Sequence, residues 1–99
     1  MITSSKITIS IVSHGQFTLL LPLIKSLQNC EQIQRIIITI NIPEKIKKLK
    51  WLKNLPIYWI YNKCRKGFGS NHNKAFKLCN TKYFFVINPD VRFNCNIIK

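Results

Sequence analysis

Hydrophobic positions along this chain switch between two periods, and the switching predicts a fold. Residues 6–13, KITISIVS, are rich in β-branched side chains and bounded by polar ones, which predicts a strand. Phe17, Leu20, Leu21, Ile24 and Leu27 then recur every three or four residues, the spacing of one helix face. Pro22 falls inside that pattern and removes a backbone donor, so the helix is expected to start near Leu20 or to kink there. Residues 35–41, RIIITIN, are apolar along their whole centre. A strand without polar alternation is expected to be buried on both faces, as in a parallel sheet covered by helices. Beyond Pro43 the stretch EKIKKLKWLKN, residues 44–54, sets Ile46, Leu49 and Leu52 or Trp51 on one side, the pattern of a short amphipathic helix. Residues 57–62, IYWIYN, predict a third strand, and residues 82–88, KYFFVIN, a fourth. Between them, residues 71–80 predict a helix with His72, Ala75, Phe76 and Cys79 turned inward.

The predicted order is βαβαβαβ. Right-handed crossovers turn that order into a mainly parallel, Rossmann-like sheet with helices on both faces, a three-layer α/β/α architecture. The 99 residues allow a single domain and no second core. The longest apolar runs fall short of the roughly 20 residues of a membrane span. Cys30, Cys64, Cys79 and Cys95 lie far apart with no CxxC pair, which argues against a zinc ribbon or a dithiol redox site. Met1 is followed by polar residues rather than a signal sequence, so free thiols in a cytoplasmic setting are expected.

Charge changes the picture. Sixteen Lys and Arg face three acids, Glu31, Glu44 and Asp90, for a net charge of +13. Such a surplus attracts polyanions: nucleic acid, anionic lipid or a phosphorylated small molecule. An Ile, Asn and Lys bias in the base composition of the gene accounts for the same surplus without function. In open parallel sheets, ligands bind outside the carboxyl ends of the strands, near the point where strand order reverses. Those ends here carry Ser13-His14-Gly15, Asn41, the loop from Asn62 to Asn73, and Asn88-Pro89-Asp90. Asp90, the sole aspartate, suits a hard divalent cation, which takes one or two carboxylates and completes its shell with diphosphate oxygens and water. Asn-Pro-Asp is equally good turn chemistry, and local sequence leaves both readings standing. Lys66-Gly67-Phe68-Gly69 lacks the third glycine or the Lys-Ser/Thr of a nucleotide-binding fingerprint. Its glycines are expected to turn the backbone into a helix whose N-terminus offers free amides to an anion. His14 and His72 are expected to be hydrogen-bonded structural residues, and no Ser-His-Asp set is available.

Four runs together, IVSHG, NIPE, GFGSNHNKAF and YFFVINPD, resemble the amino-terminal half of a family 2 glycosyltransferase of the GT-A fold. The resemblance is to the rhamnosyltransferase-like branch, which carries Asn-Pro-Asp in place of Asp-x-Asp, and it covers residues 6–93. It implies a nucleotide-sugar-binding half, with Asp90 bridging Mn²⁺ or Mg²⁺ to the donor diphosphate and Asn88 near the ribose. Ser13 and Asn41 would line the nucleoside pocket with His14 and Gly15 beside them, Asn41 standing where an acid is more usual. Gly67, Phe68, Gly69 and Asn73 would shape the loop and helix that close over the nucleotide. The sugar would pass to a glycan or lipid-linked acceptor in polysaccharide biosynthesis. Family members continue into a second half with the acceptor site and catalytic base. Residues 1–99 are accordingly expected to form one partial domain, inactive alone, with no catalytic residue of their own. The competing expectation is a small basic nucleic-acid-binding protein using Lys45 to Lys53 and Trp51. It gives the apolar strands and the Asp90 turn no task, so no nucleic-acid partner is expected. The same basic helix suits peripheral contact with the anionic inner face of a membrane.

Overall fold

A computed structural model describes residues 7–15, 17–28, 30–44 and 50–88. Strand β1, Ile7–Ser13, is buried at every position. Helix α1, Phe17–Leu27, leads to β2, Ile33–Ile40. A 3₁₀ turn at Lys50–Asn54 precedes β3, Ile57–Tyr61. Helix α2, Phe68–Lys77, and β4, Tyr83–Val86, complete the order.

The four strands form one sheet in the order β3-β2-β1-β4, every pair parallel. From β1 the chain steps outward twice, to β2 and then β3, and both connections pack on one face. It then returns across the sheet to β4. With right-handed crossovers that reversal places α2 on the opposite face. The order of strands therefore reverses at β1, between β2 and β4, which is where a ligand crevice is expected.

The main core fills the α1 face. Ile7, Ile9 and Ile11 of β1 and Ile36, Ile38 and Ile40 of β2 meet Phe17, Leu20, Leu23, Ile24 and Leu27 of α1 and Leu52. A much smaller cluster lies under α2, made of Ile37, Ile60 and Ala75 with Leu78 and Phe84 at its margin.

Several boundaries differ from the sequence expectation. α1 starts at Phe17, before Leu20, with Pro22 inside it. Proline removes the bond to the Thr18 carbonyl. Thr18 and Pro22 are both exposed, so the loss falls on the solvent side while five apolar residues hold the inner side. β2 begins two residues early because Ile33 already pairs with Ile7. α2 begins at Phe68 rather than 71, and Phe76 is 59% exposed rather than inward. Ala75 takes the inward position, and Phe76 instead sets its ring edge-on to Phe84 at 5.3 Å. Within the Lys-rich stretch, residues 50–54 form a 3₁₀ turn rather than an α-helix, and residues 45–49 lie outside the described residues. Cys64 and Cys79 are free thiols as expected, whereas Cys30 is disulfide-bonded. Among the described residues, no helix is long and apolar enough to cross a membrane.

Candidate functional site

Parallel strands deliver their carboxyl ends to one edge, and the first of these ends is fixed by Glu44. Its carboxylate accepts hydrogen bonds from Ser13 Oγ at 2.7 Å and from the backbone N–H of Gly15 at 3.1 Å. It also accepts one from the N–H of Phe17 at 2.9 Å. A helix begins with unpaired N–H groups and a partial positive charge, and a carboxylate satisfies both. Glu44 does so across the sheet edge, from the loop after β2. Gly15 has φ +82°, the left-handed region that glycine enters freely, and this lets the chain double back from β1 into α1.

The second end is fixed by Asn41, which is fully buried. Its Oδ1 accepts from Lys66 N–H at 2.8 Å while its Nδ2 donates to Lys66 C=O at 2.9 Å. That pair of bonds holds both backbone polar groups of one residue and fixes which way the amide points. The other Nδ2 hydrogen goes to His14 Nδ1 at 3.0 Å, and Oδ1 also accepts from Asn62 Nδ2 at 2.9 Å. In its neutral form His14 accepts at Nδ1, with the ring proton on Nε2. Asn62 donates further to Asn71 Oδ1 at 2.7 Å, and Asn71 Nδ2 donates to Lys66 C=O at 3.3 Å. All four hydrogen-bonding positions of Asn41 are thus taken inside the protein. What Asn41 does is tie the loop between β3 and α2 to the ends of β1 and β2.

α2 starts with Gly67 as its N-cap, and no side chain caps it or places an acid in its first turn. From that end along α2 to its last turn runs a cleft of about 710 Å³ whose lining includes Lys66, Gly69, Ser70, Asn73, Lys74 and Lys77. Uncapped amides and three lysines make the cleft chemically suited to an anion. Gly67 and Gly69 have ordinary negative φ, and a Cβ at either would meet no atom within 4 Å. The chain enters α2 directly after Gly67, and the glycine in the left-handed region is Gly15.

Beneath the cleft, His72 is buried on the inner side of α2, with Nδ1 2.8 Å from Ser10 Oγ in the middle of β1. Burial, and to a lesser degree the charge of His14, hold the His72 imidazole below its ordinary value of 6.5. Close by on β2, Thr39 Oγ1 is buried with no hydrogen-bond partner.

The expected residues fall into three groups. Ser13, His14 and Asn41 converge at the ends of β1 and β2, joined by Glu44 and Asn62. Gly67, Phe68, Gly69 and Asn73 belong to the start of α2, with Gly69 and Asn73 lining the cleft. Asn88 is exposed just past Ile87, whose N–H still bonds to Ser10 C=O at 3.1 Å, so it belongs to the β4 end of the same edge. Asp90 lies outside the described residues. Sequence reasoning placed the loop from Asn62 to Asn73 at this edge but gave no role to Asn62, Asn71 or Glu44. The signal available was three asparagines and a glutamate at strand ends, where each must find a partner once buried.

No protein-family model matches this chain, and no curated protein matches it. Among solved structures, it is similar to the crystal structure of S. aureus TarS 1-349. The TM-score is 0.76 at 13% identity, covering 94% of this chain and 30% of that one. The chain therefore spans 30% of that structure's length. Its four-stranded parallel sheet with covering helices has the fold of a Rossmann-like GT-A fragment.

Proposed function

We propose that the chain is the nucleotide-sugar-binding half of a family 2 glycosyltransferase of the rhamnosyltransferase-like branch, serving transfer to a glycan or lipid-linked acceptor. The observation that carries this reading is a basic cleft at an uncapped helix N-terminus, beside the strand ends that Asn41 and Glu44 fix in place. A nucleoside diphosphate offers the anionic oxygens that such a cleft attracts. Ser13, His14 and Asn88 stand where the sheet order reverses, on the side where its nucleoside would lie.

Among the described residues, no three of His, Cys, Asp or Glu come together as a metal-binding group. Asp90, outside the described residues, would offer a carboxylate to a divalent ion, with diphosphate oxygens and water completing its shell, and the charge of that ion would favour departure of the nucleoside diphosphate. Carboxylate and diphosphate oxygens are hard donors, the kind that Mn²⁺ and Mg²⁺ take. Glu44 is committed to α1, and Glu31 sits in the turn at the opposite edge of the sheet. Neither is placed to deprotonate an acceptor hydroxyl. The nucleic-acid alternative is not favoured, because it leaves the chain's resemblance to a glycosyltransferase fold unexplained.

Calorimetry with nucleoside diphosphates, with and without Mn²⁺, tests the proposal. Binding is expected to strengthen with metal, and Asp90→Ala is expected to remove only the metal-dependent part. Equal metal-dependent affinity in both proteins would sink the assignment of Asp90. Salt-sensitive binding to single-stranded DNA, tighter than any nucleotide binding, would overturn the glycosyltransferase reading.

A further inference from the structure

The outer side of α1 mixes polar residues, Thr18, Lys25 and Ser26, with apolar ones. The inner side of the helix buries Phe17, Leu20, Leu23, Ile24 and Leu27, yet the outer side carries Leu19, which is 57% exposed, half-buried Leu21 and exposed Pro22. Lys25 is the sole charged residue of the helix. A helix on the surface of a globular protein ordinarily turns charged and polar residues outward, so the exposed Leu19 and Pro22 stand out.

Trp51 from the 3₁₀ turn lies alongside. Together with Leu21, Pro22 and Lys25 it lines a groove of about 630 Å³. The Lys25 ammonium sits 5.1 Å from the centre of the Trp51 ring. Lys50 and Lys53 are exposed on the same turn. The surface therefore combines exposed aliphatic side chains, a tryptophan and a rim of lysines. Glu31, in the turn after α1, is the one acid in residues 17–43.

We propose that this face of α1 and the adjoining turn rests on an anionic lipid surface. Charge selects the occupant. A second copy would bring another chain of +13 against this one, and like charges would oppose the contact. Anionic headgroups reverse that sign, while the aliphatic side chains and the indole enter the boundary between headgroups and acyl chains. The patch lies on the α1 layer and the basic cleft on the α2 layer, so a lipid surface leaves the cleft open. The inference stands independently of the glycosyltransferase reading.

Vesicle sedimentation of the full chain tests it, comparing phosphatidylcholine alone with phosphatidylcholine mixed with phosphatidylglycerol. Retention is expected on the anionic vesicles and is expected to fall as salt rises. Leu19→Gln changes an exposed residue, so the fold should survive, and retention should drop about tenfold. Trp51→Ala should lower it comparably, and Lys25→Gln about fivefold. Lys82→Gln, before β4 at the far edge of the sheet, should change it much less. Loss with Lys82→Gln equal to that with Lys25→Gln would assign binding to diffuse charge and overturn the patch. Retention that is absent, or equal on neutral vesicles, would overturn it as well. So would self-association in ultracentrifugation that Leu19→Gln abolishes, because the occupant would then be a second copy.

Discussion

Toward α1 the central strands present Ile7, Ile9, Ile11, Ile36, Ile38 and Ile40; toward α2 the same strands present Thr8, Ser10, Ile37 and Thr39. Both sets are buried. On the first side, packing alone fills the space between sheet and helix. On the second, polar groups must pair: Thr8 Oγ1 lies 2.7 Å from Thr81 Oγ1, and Ser10 pairs with His72. The contrast teaches that the two layers do different work. The α1 side supplies burial, whose free energy is roughly proportional to apolar area. The α2 side gives up apolar area to hold a helix whose outer turns line the cleft, and hydrogen bonds fix where that helix sits.

The largest effect should come from emptying the apolar side. Ile38→Ala is expected to lower unfolding free energy in urea by about 3 kcal/mol, through lost burial and the cavity left behind. Ser10→Ala on the other side should cost about 1 kcal/mol. Equal losses would erase the distinction between the faces. Next comes the link between strand ends and α2. Asn41→Ala leaves the Lys66 peptide and the Asn62 amide without their partner, at an expected cost of about 2 kcal/mol. Hydrogen exchange should show the Lys66 and Asn71 amides losing protection while β1 keeps its own. Uniform loss across β1 and α2 would mean that Asn41 supports the whole fold instead of one loop.

A subtler effect is acid sensitivity confined to the α2 side. The His72 value is lowered on folding, so the unfolded chain binds the proton more readily. The resulting stability is fully present above about 6.5 and is lost as pH falls from there through the folded value. Melting followed across that range should show a decline that His72→Gln flattens. An unchanged decline in the variant would assign it to another group. The smallest effect has the opposite sign. Thr39→Val removes a buried hydroxyl that has no partner and should stabilise the protein by about 1 kcal/mol. Destabilisation would indicate that the hydroxyl is hydrated or otherwise paired in solution.

The strands were legible because their apolar runs and polar bounds are local properties, and β1 coincides with its expected span to within one residue. Phe76 was misread for a physical reason. Periodicity marks an apolar residue as inward, but the α2 face offers little apolar surface, and the small Ala75 lets the helix approach Ile37 and Ile60 instead. Glu44 was passed over because its value depends on a helix N-terminus that is distant in sequence. The same holds for the asparagines: Ser13, His14 and Asn41 could be assigned to one edge from strand ends alone. That Asn41 spends every hydrogen-bonding position on its neighbours requires coordinates.

β1 is the first strand in the chain and the middle of the sheet, with β2 on one side and β4 on the other. Ile7 pairs with Ile33 and also with Tyr83. During synthesis β1 leaves the ribosome first and gains its second neighbour last. Until β4 arrives, one row of its backbone donors and acceptors has no strand to pair with, at the centre of the future sheet. An open row of that kind is a template for other chains. No hairpin shortens the wait, because every pairing is parallel and needs a crossover. Assembly of these four strands should accordingly be slow, and this row closes only when Tyr83–Val86 docks.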